Sequence, residues 1–199
     1  MATDHDKLIE MAHKLPLSAS LPRILRFAES INDTSLATWV RLELLGYAGS
    51  NPVMTEQTIV PEYRTVGGQW YDAYARLLVL EDPALSFVNE TRLRSGVTEL
   101  EILVGANGVI AIQLPDLSQI LREHLGVEVT TFRFSPKAIP QVLASIKAQM
   151  LDRLATLRDF PETPGLSRAA AARDEILELR PNLYGIGINL KALWRRWRS

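Results

Sequence analysis

Between residues 139 and 157, the side chains of Ile139, Leu143, Ile146, Met150, Leu154 and Leu157 recur at steps of 4, 3, 4, 4 and 3. Steps mixing three and four hold an apolar stripe on one side of a helix of about 20 residues. Ser135 can cap this helix, and Pro136 and Pro140 are confined to its start, where a missing backbone N–H is tolerated. The stripe must be covered, because burying each large apolar side chain is worth about 1.5–3 kcal/mol. The rest of the chain therefore wraps it as a core, or a second copy covers it.

The N-terminal segments supply covering surfaces. Leu8, Ile9, Met11, Ala12 and Leu15 fall at helical spacing after Asp4, and Pro16 stops them. Ser20-Leu21-Pro22 reads as a second helix start, with Ile24, Leu25, Phe27, Ala28 and Ile31 facing inward as far as Asn32. Asp33 or Thr34 caps a third helix carrying Leu36, Trp39, Val40, Glu43 and Leu44, and Gly46 ends it. Tight joints between the three predict a compact N-terminal bundle.

The middle of the chain changes character. Residues 48–68 are rich in Gly, Pro, Asn and Thr and read as loop with short extended pieces. Residues 71–80 suit a strand by their aromatics and a short helix by Ala73, Ala75 and the leucines. Residues 98–104 read as a helix followed by a strand over 109–114, or Asn107-Gly108 joins two strands in a tight hairpin turn. Leu117, Ile120, Leu121 and Leu125 predict a helix that Gly126 terminates, and Val127, Val129, Thr131 and Phe132 predict a strand. The fold class expected is α+β and mainly helical: an N-terminal helical bundle, a small β element, the long amphipathic helix and a C-terminal appendage. Residues 159–165, with two prolines and a glycine, divide a domain over 1–158 from a linker, helix and amphipathic basic tail over 159–199.

Composition excludes several functions. With 199 residues, 47% hydrophobic and 23% charged, the chain is long enough for one packed domain. A net charge of −1 gives no overall field to concentrate nucleic acid, and no specific nucleic-acid binding is expected. The last nine residues are the exception, with Lys191, Arg195, Arg196 and Arg198 and no acid. Cysteine is absent, which excludes disulfides, thiol nucleophiles and cysteine zinc sites. The N-terminus lacks the order of a signal peptide and no apolar run reaches membrane-spanning length, which predicts a cytoplasmic protein.

The search for chemistry assigns no catalytic residue, cofactor or metal. The histidines, His5, His13 and His124, form no metal-binding spacing; His5 reads as exposed terminal polarity, and His124 as a surface residue near a helix end. No phosphate-binding loop or nucleophile elbow is present. Neighbouring carboxylates such as Glu99 and Glu101 read as solvated. Two regions remain. Tyr63, Arg64, Gln69, Trp70 and Tyr71 crowd into one loop, where they either cover the helical core with Arg64 paired to an acid, or form a recognition surface. In the tail, Leu190, Leu193, Trp194 and Trp197 share one helical side opposite Lys191, Arg195 and Arg198, with Arg196 between. Such a segment docks on its own domain, a partner subunit, an anionic membrane surface or nucleic-acid phosphate.

Leu36-Ala37-Thr38-Trp39-Val40-Arg41-Leu42-Glu43-Leu44-Leu45-Gly46-Tyr47, then Val60-Pro61-Glu62-Tyr63-Arg64 and Gly68-Gln69-Trp70, resemble the AbiTii domain of bacterial abortive-infection systems. Pro181-Asn182-Leu183-Tyr184-Gly185-Ile186-Gly187-Ile188-Asn189-Leu190 resembles a C-terminal segment seen in many members. The resemblance implies phage defence, in which an infected cell is halted before virus is released, but no reaction and no catalytic residue. The expectation is a non-enzymatic defence protein acting by self-association or through a companion defence protein, with peripheral membrane contact through the tail as one alternative. An enzyme built from Glu43, Arg64 and His124 is the other.

Overall fold

The computed structural model describes residues 4–79 and 88–158. The predicted linker and basic-aromatic tail, with Trp194, Arg195, Arg196, Trp197 and Arg198, lie outside the described residues. Six helices and short antiparallel strands make up the described part, as a mainly helical α+β fold.

Helices α1 (Asp4–Lys14), α2 (Leu17–Ser30) and α3 (Thr34–Leu45) form the N-terminal bundle. The Asp33 side chain caps α3 by accepting from the Leu36 N–H at 2.9 Å, and Gly46 ends the helix at φ 83°. Helix α2 begins at Leu17, one turn before the start predicted at Ser20, so Pro22 lies inside it. The reason is tertiary. Glu101, 84 residues away, accepts from the Leu17 N–H at 2.8 Å and the Ser18 N–H at 3.3 Å. A carboxylate there satisfies orphan donors and complements the helix dipole, so Glu101 caps a helix where a solvated role was expected.

The chain then runs through an irregular stretch and a one-turn 3-10 helix, Glu62–Arg64, into β1 (Thr65–Gly67), β2 (Gln69–Tyr71) and β3 (Leu77–Leu78). The ambiguous stretch after Tyr71 is therefore a hairpin, turned where Asp72 accepts from the backbone N–H groups of Tyr74 and Arg76. After β4 (Glu90–Arg92) come α4 (Val97–Val104), β5 (Ile110–Ile112), α5 (Pro115–Leu125) and β6 (Thr131–Phe134). Since 97–104 is helical, Asn107-Gly108 joins a helix to a strand. The strand expected from Val127 starts at Thr131, four residues later. Strands β1 and β4 pair with each other, and the larger sheet has the order β3-β2-β6-β5, antiparallel throughout.

Helix α6 (Ile139–Arg158) is the predicted long helix, preceded by a 3-10 turn over Pro136–Ala138 whose start Ser135 caps. Ile139, Ile146, Met150 and Leu154 have no exposed surface, and Leu143 and Leu157 pack at the edge of the same core. The stripe is covered from within the chain, by α1 and by α4. Two side chains fasten α1 to α6. Lys147 donates to the carbonyls of His13 and Leu15 at 2.8 and 3.3 Å, which places a cation at the C-terminus of α1. His5, expected to be exposed, has its Nε2 2.8 Å from the Leu154 carbonyl and its ring 6.0 Å from that of Phe27.

Candidate functional site

The polar residues of the Trp39–Tyr47 and Pro61–Arg64 segments meet in the interior. On α3, Trp39 and Glu43 are one helical turn apart and face the core. Tyr47 follows just beyond Gly46, and its backbone N–H donates to the Arg94 carbonyl at 2.7 Å. Gly46 and Gly96 allow two chain segments to cross here. A Cβ on Gly46 would lie 2.4 Å from the Arg94 carbonyl oxygen, and one on Gly96 2.3 Å from that of Leu44. Backbone cannot yield as a side-chain tip can, so both positions require glycine. Asn51 closes the corner by donating from Nδ2 to the Gly46 carbonyl at 2.6 Å.

Arg64 enters from the 3-10 turn and has no exposed surface, and the same holds for Glu43. Nε and Nη2 of Arg64 donate to Glu43 Oε2 at 3.1 and 2.6 Å. Nη1 donates to the carbonyls of Leu93 and Ser95 at 3.0 and 2.8 Å. The other carboxylate oxygen, Oε1, accepts from the hydroxyls of Tyr47 and Tyr63 at 2.7 and 2.6 Å. Tyr63 in turn accepts from Trp39 Nε1 at 3.1 Å. The Arg64 guanidinium also lies 4.8 Å from the centre of the Tyr47 ring, within the range of a cation–π contact.

Every nitrogen of the guanidinium and both carboxylate oxygens are thus engaged. A buried charge pair is tolerable on this condition, since desolvation is offset only when the remaining lone pairs and protons are also satisfied. The surrounding phenols are held as donors. Burial first, and then the Glu43 carboxylate, push Tyr63 up to about 12, and the same causes raise Tyr47 further. A general acid or base must reach its substrate, whereas Glu43 and Arg64 reach only each other and their neighbours. Chemically, the arrangement is a clamp that joins α3, the 3-10 turn and the segment entering α4.

The residues expected in one contact loop fall on two elements, Tyr63 and Arg64 on the 3-10 turn and Gln69, Trp70 and Tyr71 on β2, because strand pairing with β6 and β3 orders the second group, and they separate by depth. Arg64 is in the clamp. Trp70 is fully buried, donating from Nε1 to the Val88 carbonyl at 2.7 Å and meeting the Phe132 ring edge-on at 5.3 Å. Tyr63 is half-buried, with its hydroxyl committed to Glu43. Gln69 is exposed and Tyr71 half-buried beneath the Arg133 guanidinium, 4.2 Å from its ring centre, so these two are what β2 offers to solvent. Of the covering arrangement, the pairing of Arg64 with an acid and the burial of Trp70 are found, while Gln69 and Tyr71 stay at the surface. Of the expected Glu43–Arg64–His124 grouping, Glu43 and Arg64 meet; His124 lies on α5, and its side chain is outside the described part.

Sequence reasoning missed three residues: Glu101, Asn51 and Arg153. Arg153 on α6 stacks on Trp39 at 4.9 Å, with its Nε buried and without a hydrogen-bond partner. None carries a local signal, because each acts on a partner distant in sequence or on backbone. Beyond the clamp, a broad cleft of about 320 Å³ at the β3 side of the larger sheet is lined by Asp72, Arg76, Leu77, Leu78, Val127 and Glu128. Asp72 is spent on its own turn: hydrogen bonds from Arg76, backbone first, hold it below the usual carboxylate range. Among the described residues, no group of three or more His, Asp or Glu is placed to hold a metal ion, and no helix is long and apolar enough to cross a membrane.

A family model described as AbiTii matches residues 8–175 of the chain. This span contains the whole clamp. No curated protein and no solved structure matches.

Proposed function

The chain belongs to the AbiTii family, which suggests a phage-defence role of the abortive-infection type, and from that premise we propose that it acts without catalysis, through contact with a companion protein or a second copy of itself. The observation that supports this reading is the fate of the matched polar residues. Glu43, Tyr47, Tyr63 and Arg64 are the groups on which a reaction would most readily be built, and they spend their hydrogen-bonding capacity on one another. Functional sites usually keep a perturbed group at an open cleft; here the perturbed phenols border a closed one.

The test expresses the full chain in bacteria challenged with phage, scores plaque formation and host growth, and assays the purified chain on nucleic acid, nucleotides and esters. Protection without turnover is the expected result. Turnover lost on a single polar replacement would overturn the reading. The acid-free run from Lys191 to Ser199 supports a second reading, a membrane-associating effector. On that reading, deleting those residues abolishes binding to anionic liposomes while leaving the melting transition in place, and unchanged binding removes the tail from consideration.

A further inference from the structure

Asn107-Gly108 joins α4 to β5 and belongs to neither element. Both residues are exposed. Gly108 stands at φ 94°, with nothing within 4 Å of where a Cβ would lie. Among the described residues, neither the Asn107 side chain nor the Gly108 N–H has a hydrogen-bond partner. Asparagine is a thermolabile residue, because the next backbone nitrogen can attack its side-chain amide carbon. That attack needs a nitrogen that is unbonded, unshielded by a side chain and free to turn, and glycine supplies the last two conditions.

The other described asparagines lack this combination. Asn32 is exposed, but the nitrogen that would attack it, that of Asp33, is fixed by its hydrogen bond to the Ala28 carbonyl at 2.8 Å. Asn51 is buried, with Nδ2 donating to the Gly46 carbonyl at 2.6 Å, and the following Pro52 has no N–H to give up. Asn89 precedes Glu90, which is held in β4 opposite Gly67. Asn182 and Asn189 lie outside the described residues, and each precedes a leucine. The same side chain is thus shielded at three places in the fold and laid open at one.

We propose that Asn107 is a self-modification site, at which the folded chain converts asparagine to aspartate and isoaspartate with water as the co-reactant. The Gly108 nitrogen gives its proton to solvent and bonds to Asn107 Cγ. The Cγ–Nδ2 bond breaks, and the side-chain nitrogen takes up a proton and leaves as ammonia. Water then opens the cyclic imide: its hydroxyl adds to one of the two imide carbons, and the Gly108 nitrogen regains a proton. Opening at Cγ restores the main chain beside an ordinary aspartate, whereas opening at the main-chain carbon reroutes the chain through the side chain. No oxidation state changes. Either product carries a carboxylate, the first charge in the run from Ile102 to Pro115, and the isoaspartate form lengthens the joint between α4 and β5 by a methylene.

The test incubates the purified full chain at neutral and mildly alkaline pH, follows each asparagine by peptide mass, and marks isoaspartate by enzymatic methylation. A synthetic peptide of residues 103–111 is incubated beside it. The expected result is loss of ammonia at Asn107 at a rate within a few-fold of the peptide's, at least about 10-fold faster than at Asn32, Asn51 or Asn89. The rate should rise with pH, since the Gly108 nitrogen must lose its proton to attack. Asn107→Gln, which would have to close a larger ring, should lose the signal at this position while melting as the parent chain does. A rate at Asn107 many-fold below the peptide's would show that the fold holds the joint, and would overturn the inference. An equal or higher rate at Asn32, Asn51 or Asn89 overturns it as well. None of these readouts depends on the chain's role in defence.

Discussion

Glu43 carries more of the structure than its single charge implies, because four side-chain donors converge on its two oxygens. Glu43→Gln leaves the Arg64 cation buried without a counter-charge, a loss of about 3–5 kcal/mol, measurable as a lowered urea midpoint. Adding Arg64→Met removes the stranded charge, so the double variant should lose less stability than the two single losses added together; additive losses would contradict the coupling. The tyrosines give the clamp a pH signature. The folded state holds Tyr63 near 12, above its ordinary value of 10, so the unfolded chain loses this proton first. Stability from this source is complete below about pH 10 and drains away as pH rises through about 12. Melting temperature followed from pH 9 upward should fall over that window, less steeply in Tyr63→Phe. Little of this could be read beforehand. Trp39, Glu43, Tyr47 and Arg64 stand out as a pattern, yet charged residues are expected outside, and only the fold brings positions 43 and 64 within hydrogen-bonding distance.

The elements were legible where their signals are local. The three-and-four stepping of α6, the Asp33 cap and the Gly46 and Gly126 stops depend on residues a few positions apart, and those boundaries agree with the structure to within a residue or two. Boundaries failed where a distant residue decides them. Helix α2 starts at Leu17 because Glu101 supplies its cap, and no rule read along residues 16–22 could include that carboxylate. Glu101→Ala should cost about 1 kcal/mol, as removal of an N-cap does, with increased hydrogen exchange confined to the first turn of α2. Uniformly raised exchange across the bundle would argue against local capping. The stretch after Tyr71 was undecidable from composition, since its leucines and alanines suit either state until β2 offers an edge to pair with.

At the scale of the whole molecule, the fold class was readable because helices dominate and the strands are brief. The position of the candidate contact loop was not, because Trp70 and Arg64 look the same in sequence whether they anchor a partner or fill an interior. Chain order has its own consequence. Helix α1 lies against α6, fixed by Lys147 on the carbonyls of His13 and Leu15 and by His5 at Leu154, a hydrogen bond spanning 149 residues. Helix α1 thus finds its full resting place only when α6, the last described helix, has been made. Until then the side of α1 that α6 covers is open to chaperones and to neighbouring nascent chains, and a transcript cut short ahead of α6 would leave it so.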